Sequence, residues 1–197
     1  KEGDFIAIVG PSGCGKTTLL NMIGGIDEPN SGNVNINNIN ISSLSSAEIT
    51  DFRLANIGFV FQSYNLIPVL TAVENVEFIL ELQGVSKTER RHRAMELLEF
   101  MGIEDKAKYK PSELSGGQQQ RVAVARAIAS KPKFVLADEP TANLDSRSTN
   151  NLLDLMIKMN EKENITFIFS THDDRVMKRA KRLIYMEDGK IIKDENR

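Results

Sequence analysis

The chain has 197 residues, 41% of them hydrophobic, and a formal net charge of −2. Those values suit one domain with a sizeable core and provide no global basic field for nucleic acid. A single cysteine excludes an internal disulfide, no apolar run approaches the roughly 18 residues that cross a bilayer, and no signal-peptide pattern is present, so the expectation is a soluble, intracellular polypeptide.

In chain order, the apolar run Phe5–Val9 reads as a strand. Gly10-Pro11-Ser12-Gly13-Cys14-Gly15-Lys16-Thr17 follows it at once and fits G-x-x-x-x-G-K-S/T, the phosphate-binding loop. Glycines let the backbone turn tightly and aim its N–H groups at phosphate oxygens. Lys16 supplies a point charge toward the β- and γ-phosphates, and the Thr17 hydroxyl can ligate Mg²⁺. A helix begins near Lys16, with Thr18 in its first turn and Leu19, Leu20, Met22 and Ile23 as its apolar positions, so its positive end faces the same anion. Cys14 is read as filling one of the loop's free positions rather than as a reactive thiol.

Asn33–Ile41 alternates with period two and breaks at Asn37-Asn38, which predicts a short hairpin. A helix over Ala47–Ala55 and a buried-type strand over Ile57–Phe61 come next, the strand ending in Gln62. Ser63–Thr71 contains Pro68 and reads as a loop. From Ala72 to about Gly102 the pattern is helical, with Ala94, Leu97, Leu98 and Met101 forming a one-faced stripe. The basic run Lys87–Arg93, with His92, is read as a solvated helix face. A helix over Gln118–Ala129 leads to the strand Phe134–Ala137, which ends in Asp138-Glu139, where Pro140 forces a turn. Leu152, Met156 and Met159 mark another helix. Ile165–Phe169 is a further strand ending near His172. A last helix then precedes Arg182–Met186 and Lys190–Lys193, joined by an Asp188-Gly189 turn.

Strands that alternate with helices predict an α/β fold with a mainly parallel sheet, and such sheets bind ligands at the carboxyl ends of their strands. Four strands here end in polar groups: the phosphate loop at Gly10, Gln62, Asp138-Glu139 and His172. Together they supply a phosphate cradle, metal ligands (Thr17, Gln62, Asp138), and groups for the attacking water. Glu139 is placed to orient or deprotonate that water. Leu114-Ser115-Gly116-Gly117-Gln118 opens a helix. Ser-x-x-Gln is a capping box, and the paired glycines leave an uncluttered helix N-terminus that suits a second phosphate-binding surface.

With that motif the sequence resembles the nucleotide-binding subunit of ABC transporters over nearly all its length. Gly10–Thr17 matches the Walker A motif, Gln62 the Q-loop, Leu114–Gln118 the signature, Phe134–Asp138 the Walker B motif, Glu139 the catalytic glutamate, Asn143-Leu144-Asp145 the D-loop and His172 the switch histidine. The resemblance implies a P-loop NTPase core (1–62 and 118–197) with an inserted helical sub-domain over about 63–117. It implies ATP and Mg²⁺ as ligands and a head-to-tail homodimer when ATP is bound. In that dimer Lys16 of one subunit and Ser115, Gly116, Gly117 and Gln118 of the other grip one triphosphate. It also implies docking of the helical sub-domain on a transmembrane permease, at the inner face of the cell membrane. The segments Ile57–Pro68, Leu70–Val76 and Leu114–Val122 look like the subgroup serving lipoprotein release, macrolide export, peptide-antibiotic resistance and cell division. The family's adenine-stacking aromatic, on an antiparallel β segment before Walker A, has no counterpart in the nine residues before Gly10, so that β sub-domain is expected to be truncated. Two other readings are a DNA-repair or chromosome ATPase, which would carry a long insertion where only about a hundred residues separate Thr17 from Ser115, and a non-hydrolysing regulatory module, against which Glu139 and His172 argue.

Overall fold

The computed structural model describes residues 2–197. Strand β1 (Phe5–Val9) leads through the glycine-rich loop into α1 (Lys16–Ile23), followed by the hairpin β2 (Asn35–Ile36) and β3 (Ile39–Asn40). Then come α2 (Ser46–Asn56), β4 (Ile57–Val60), α3 (Ala72–Leu82), α4 (Lys87–Phe100), α5 (Gly116–Ala129) and β5 (Phe134–Asp138). The chain ends with α6 (Ser146–Glu163), β6 (Thr166–Thr171), α7 (Asp174–Arg179), β7 (Arg182–Glu187) and β8 (Lys190–Asn196).

The main sheet runs β4-β5-β6-β1-β7-β8. Every neighbouring pair is parallel except β7–β8. The parallel strands are covered on both faces, which is why they read as unbroken apolar runs rather than alternating ones. Period two still sorts them. Phe5, Ala7 and Val9 of β1 face one core with Phe167 and Phe169, the ring of Phe5 lying 4.5 Å from that of Phe169. Ile8 faces the other core, with Leu20, Ile57, Phe134 and Leu136.

Local chemistry sets most boundaries. Asn37 and Asn38 take φ of 50° and 64°, the left-handed pair that a two-residue hairpin loop requires and that Asn tolerates. Thr71 caps α3 in a capping box with Glu74. The helical pattern over Ala72–Gly102 resolves into two helices, because Gly84 turns left-handed after α3 and Ser86 caps α4. The stripe of Ala94, Leu97, Leu98 and Met101 is buried as expected, and Lys87, Arg91 and His92 are exposed. Among the described residues no helix is long and apolar enough to cross a membrane.

Candidate functional site

Strand register brings the site together. Val9 pairs with Thr171, Asp138 with Ser170, and Val60 with Ala137. Four adjacent parallel strands therefore finish level with one another. Gly10, His172, Glu139 and Gln62 all follow them at the same sheet edge.

The loop after β1 is shaped by two glycines in particular. A side-chain carbon at Gly10 would collide with the carbonyl oxygen of Met186 on β7. Gly15 sits at φ 99°, a conformation that L side chains avoid, just before the helix. The free-position reading of Cys14 needs correction. Its side chain is only 4% exposed and packs with Ile8, Leu20 and Met186 in the second core cluster. Position 14 is an apolar anchor, so Cys14 offers a ligand only its backbone. The Cys14 carbonyl in turn accepts from Gly189 N–H at 3.0 Å, which pins the loop to the β7–β8 turn. Lys16, 7% exposed, folds back so that Nζ donates to the carbonyls of Gly10 (2.9 Å) and Pro11 (3.0 Å). Pro11, Ser12, Gly13, Thr17 and Thr18 are exposed.

Asp138 ends β5 and accepts from the Thr17 hydroxyl, at 2.9 Å to Oδ2 and 3.1 Å to Oδ1, and from the hydroxyl of Ser170. Ser170 is a partner the sequence did not single out. It is buried within an apolar strand and becomes visible only once β5 and β6 are paired. Glu139 takes φ 44° and donates its N–H to the Ser170 carbonyl at 3.0 Å. That left-handed kink turns its side chain back over the loop. Glu139 Oε1 lies 2.9 Å from His172 Nδ1 and 3.9 Å from Lys16 Nζ. The result is a chain of groups from cation to carboxylate to imidazole. Gln62 is exposed, and its carbonyl accepts from Asn143 Nδ2 at 3.1 Å. Its side chain makes no hydrogen bond to Thr17 or Asp138, so the structure brings Gln62 to the edge without joining it to the metal-type ligands.

The signature motif stands apart from the phosphate loop. Ser115 caps α5, with Gln118 Oε1 accepting from Ser115 N–H at 2.9 Å and Ser115 Oγ from Gln118 N–H at 3.3 Å. Gly116 abuts the Tyr64 hydroxyl, and Gly117 faces Ser148 and Leu144. Asp145 caps α6, accepting from the N–H groups of Arg147 and Ser148, both at 2.9 Å, and from Ser148 Oγ at 2.6 Å. The Ser148 hydroxyl, then its N–H, hold the Asp145 carboxyl below the usual carboxylate range. Ser115–Gln118 and Asn143–Asp145 thus lie against one another, and Asn143 links them to Gln62 at the sheet edge.

Among the described residues no group of three or more His, Cys, Asp or Glu side chains is placed to hold a metal by itself. Thr17 and Asp138 still form a hard-oxygen pair beside a phosphate-type loop. This fits Mg²⁺, which is usually held by one or two carboxylates, waters and phosphate oxygens.

A family model described as ABC transporter matches residues 1–142. The chain is 49% identical over 199 residues to an uncharacterized ABC transporter ATP-binding protein, MJ0796, of Methanocaldococcus jannaschii, covering 99% of this chain and 85% of that protein. It is 47% identical over 193 residues to the lipoprotein-releasing system ATP-binding protein LolD of Bacteroides thetaiotaomicron, covering 98% and 88%. Its fold is similar to the solved dimeric post-hydrolysis state of the ATP-binding cassette MJ0796 bound to ADP and Pi, with a TM-score of 0.92 at 48% identity, covering 100% of this chain and 86% of that one. With the family model spanning residues 1–142 and identities of 47–49% over almost the whole chain, the chain belongs to the ABC transporter family.

Proposed function

We propose that the chain is the ATP-binding and ATP-hydrolysing subunit of an ABC transporter, working as a head-to-tail homodimer that drives a membrane permease. What supports this most is the level ending of four parallel strands, which sets Lys16, Asp138, Glu139 and His172 at one edge. ATP is held as substrate by the backbone N–H groups of the loop from Ser12 to Thr18 and by Lys16, a nearly buried cation whose neighbours are two carbonyls and one carboxylate. Thr17, Asp138 and, in this reading, Gln62 hold Mg²⁺, which when bound neutralises charge on the phosphates. Glu139 orients or deprotonates the attacking water. His172, within hydrogen-bond reach of Glu139, fixes the direction of that carboxylate.

In a head-to-tail dimer the 115–118 motif of one copy meets the Lys16–Glu139–His172 edge of the other. The amino end of α5, with Ser115, Gly116, Gly117 and Gln118 of the partner subunit, then faces the phosphates with the N–H groups of Gly116 and Gly117, which the capping box leaves free. The solved cassette similar to this chain is dimeric. Residues 63–117 make the permease-docking sub-domain, supported by the exposure of Val69 (75%) and Leu82 (56%) beside Phe78, apolar groups that a partner would cover. Attachment to the inner face of the membrane comes through that permease. Its cargo meets the permease rather than this subunit.

The reading is tested by phosphate release from Mg²⁺-ATP. Chelating the metal with EDTA is expected to reduce turnover to background, because Thr17 and Asp138 alone leave the phosphate charge uncompensated. Turnover that persists in EDTA removes the metal from the reading. For coupling, Gln62→Ala is expected to lower permease-stimulated ATPase by about tenfold or more, as misplacing a positioned group does, with a smaller effect on nucleotide binding. Equal losses of both in the reconstituted complex would leave Gln62 as a nucleotide ligand only.

A further inference from the structure

The segment after Gln62 is read from sequence as a plain loop, yet side chains from two helices fasten it. Its far half is held by buried Asn75 of α3, whose Oδ1 accepts from Ile67 N–H at 2.7 Å and whose Nδ2 donates to the Leu70 carbonyl at 3.1 Å. Its near half contains two consecutive non-glycine residues in the left-handed region, Tyr64 at φ 60° and Asn65 at φ 48°. Asn65 tolerates this conformation as the hairpin asparagines do, but Tyr64 is held there at a cost that a surrounding group offsets. The group that does so is Arg126, ten residues into the signature helix. Its Nη1 donates to the Asn65 carbonyl at 2.6 Å and its Nη2 to the Tyr64 carbonyl at 3.0 Å.

Among the described residues Arg126 has no acidic partner to offset its burial, and that burial draws its pKa down from the ordinary arginine value. A partly buried guanidinium spent on two backbone carbonyls is a poor device for stability alone. It is a good device for geometry, since a planar fork fixes two acceptors at once. The same turn touches the signature again, because a side-chain carbon at Gly116 would lie 2.8 Å from the Tyr64 hydroxyl. On its other side the Gln62 carbonyl is tied to Asn143, two residues before Asp145. The turn thus stands between Gln62, the signature and the Asn143–Asp145 segment.

The geometry points to Arg126 as a positioning residue for ATP hydrolysis: by holding the Tyr64-Asn65 turn against α5, it sets where Gln62 stands relative to the phosphate loop and ties that position to the signature helix. This inference rests on the role of Gln62 proposed above. Arg126 touches neither substrate nor metal. Its effect passes through the backbone of the turn.

The test is a double-mutant cycle on the full chain, reading kcat, KM for Mg²⁺-ATP and melting temperature for Arg126→Met, Gln62→Ala and the two combined. Met keeps the aliphatic stem and removes both hydrogen bonds. Displacing a positioned group by about 1 Å can cost ~10²-fold, so Arg126→Met is expected to lower kcat by about 10- to 100-fold with KM nearly unchanged. In the Gln62→Ala background it is expected to add nothing, since residues acting through one group are not additive. Arg126→Lys, which keeps the charge but cannot reach both carbonyls in one plane, is expected to fall between wild type and Arg126→Met, and it carries the same cycle if the Met variant does not fold. Losses that multiply in the double variant, or a lowered melting temperature with kcat per folded molecule unchanged, would make Arg126 merely structural and overturn the proposal. Wild-type turnover in Gln62→Ala, both in the chain alone and in the permease-stimulated complex, would instead overturn the role of Gln62 and take this inference with it.

Discussion

Glu139→Gln is expected to cut ATP hydrolysis by about 10²–10⁴-fold, the usual contribution of a positioned general base, while ATP still binds. Glu139 leaves β5 at φ 44° with its N–H on the Ser170 carbonyl, so its side chain is aimed by the backbone and not by chance rotamer choice. Gln preserves the length and shape and can still meet His172 Nδ1, 2.9 Å away in the native chain. What it removes is the proton acceptor. With hydrolysis blocked and the phosphate loop intact, ATP stays between Lys16 of one subunit and Ser115 of the partner subunit, and the dimer accumulates. Sedimentation mass measured with ATP, with ADP and without nucleotide is expected to report a dimer only with ATP. A monomer in all three, with turnover unchanged, would sink both the base assignment and the head-to-tail arrangement. Loss of turnover in His172→Ala together with normal turnover in Glu139→Gln would move the base to the imidazole.

Lys16→Ala is expected to abolish measurable turnover and to weaken ATP binding by about 10²-fold or more. Hydrogen bonds from a charged group are worth ~1.5–3 kcal/mol each, and every ~1.4 kcal/mol is tenfold in affinity. The lysine has a second task that adds to the loss. Its Nζ closes the loop on itself through the carbonyls of Gly10 and Pro11. Removing it takes away the cation for the phosphates and a fastening of the cradle together. It also leaves Glu139 without the positive group 3.9 Å away. Calorimetric titration with ATP and steady-state phosphate release check the two halves separately. Unchanged ATPase in Lys16→Ala would remove the phosphate-loop assignment altogether. The neighbouring Cys14→Ser is a contrast, because that side chain points into the core with Ile8 and Leu20. Its expected effect is on melting temperature before ATP affinity.

Much of the site could be read in sequence because it depends on local backbone chemistry. Gly10–Thr17 announces itself by glycines at turns and a lysine and threonine at a helix start. Asp138-Glu139 is visible as two carboxylates ending an apolar run before Pro140. Ser115 and Gln118 are a capping box whether or not anything binds there. Asn37-Asn38 and Asp188-Gly189 mark turns for the same reason, since few residue types accept positive φ. The division of Ala72–Gly102 into α3 and α4 is marked in sequence only by Gly84 and Ser86, inside a pattern that is otherwise helical throughout.

By itself, then, the sequence determined the strand and helix order, the phosphate-binding loop, the polar strand ends and the capped signature helix, because those depend on neighbours within a few residues. The tertiary structure alone decided which of them meet. Thr17 and Asp138 are 121 positions apart and share a hydrogen bond only because β5 and β1 both pair with β6 in register. Ser170 as a partner of Asp138, Cys14 as a core residue, and Arg126 as the clamp on Tyr64 and Asn65 follow from the same cause. Strand order and helix docking are set by the burial of whole faces, a property of the assembled core that no local spacing encodes.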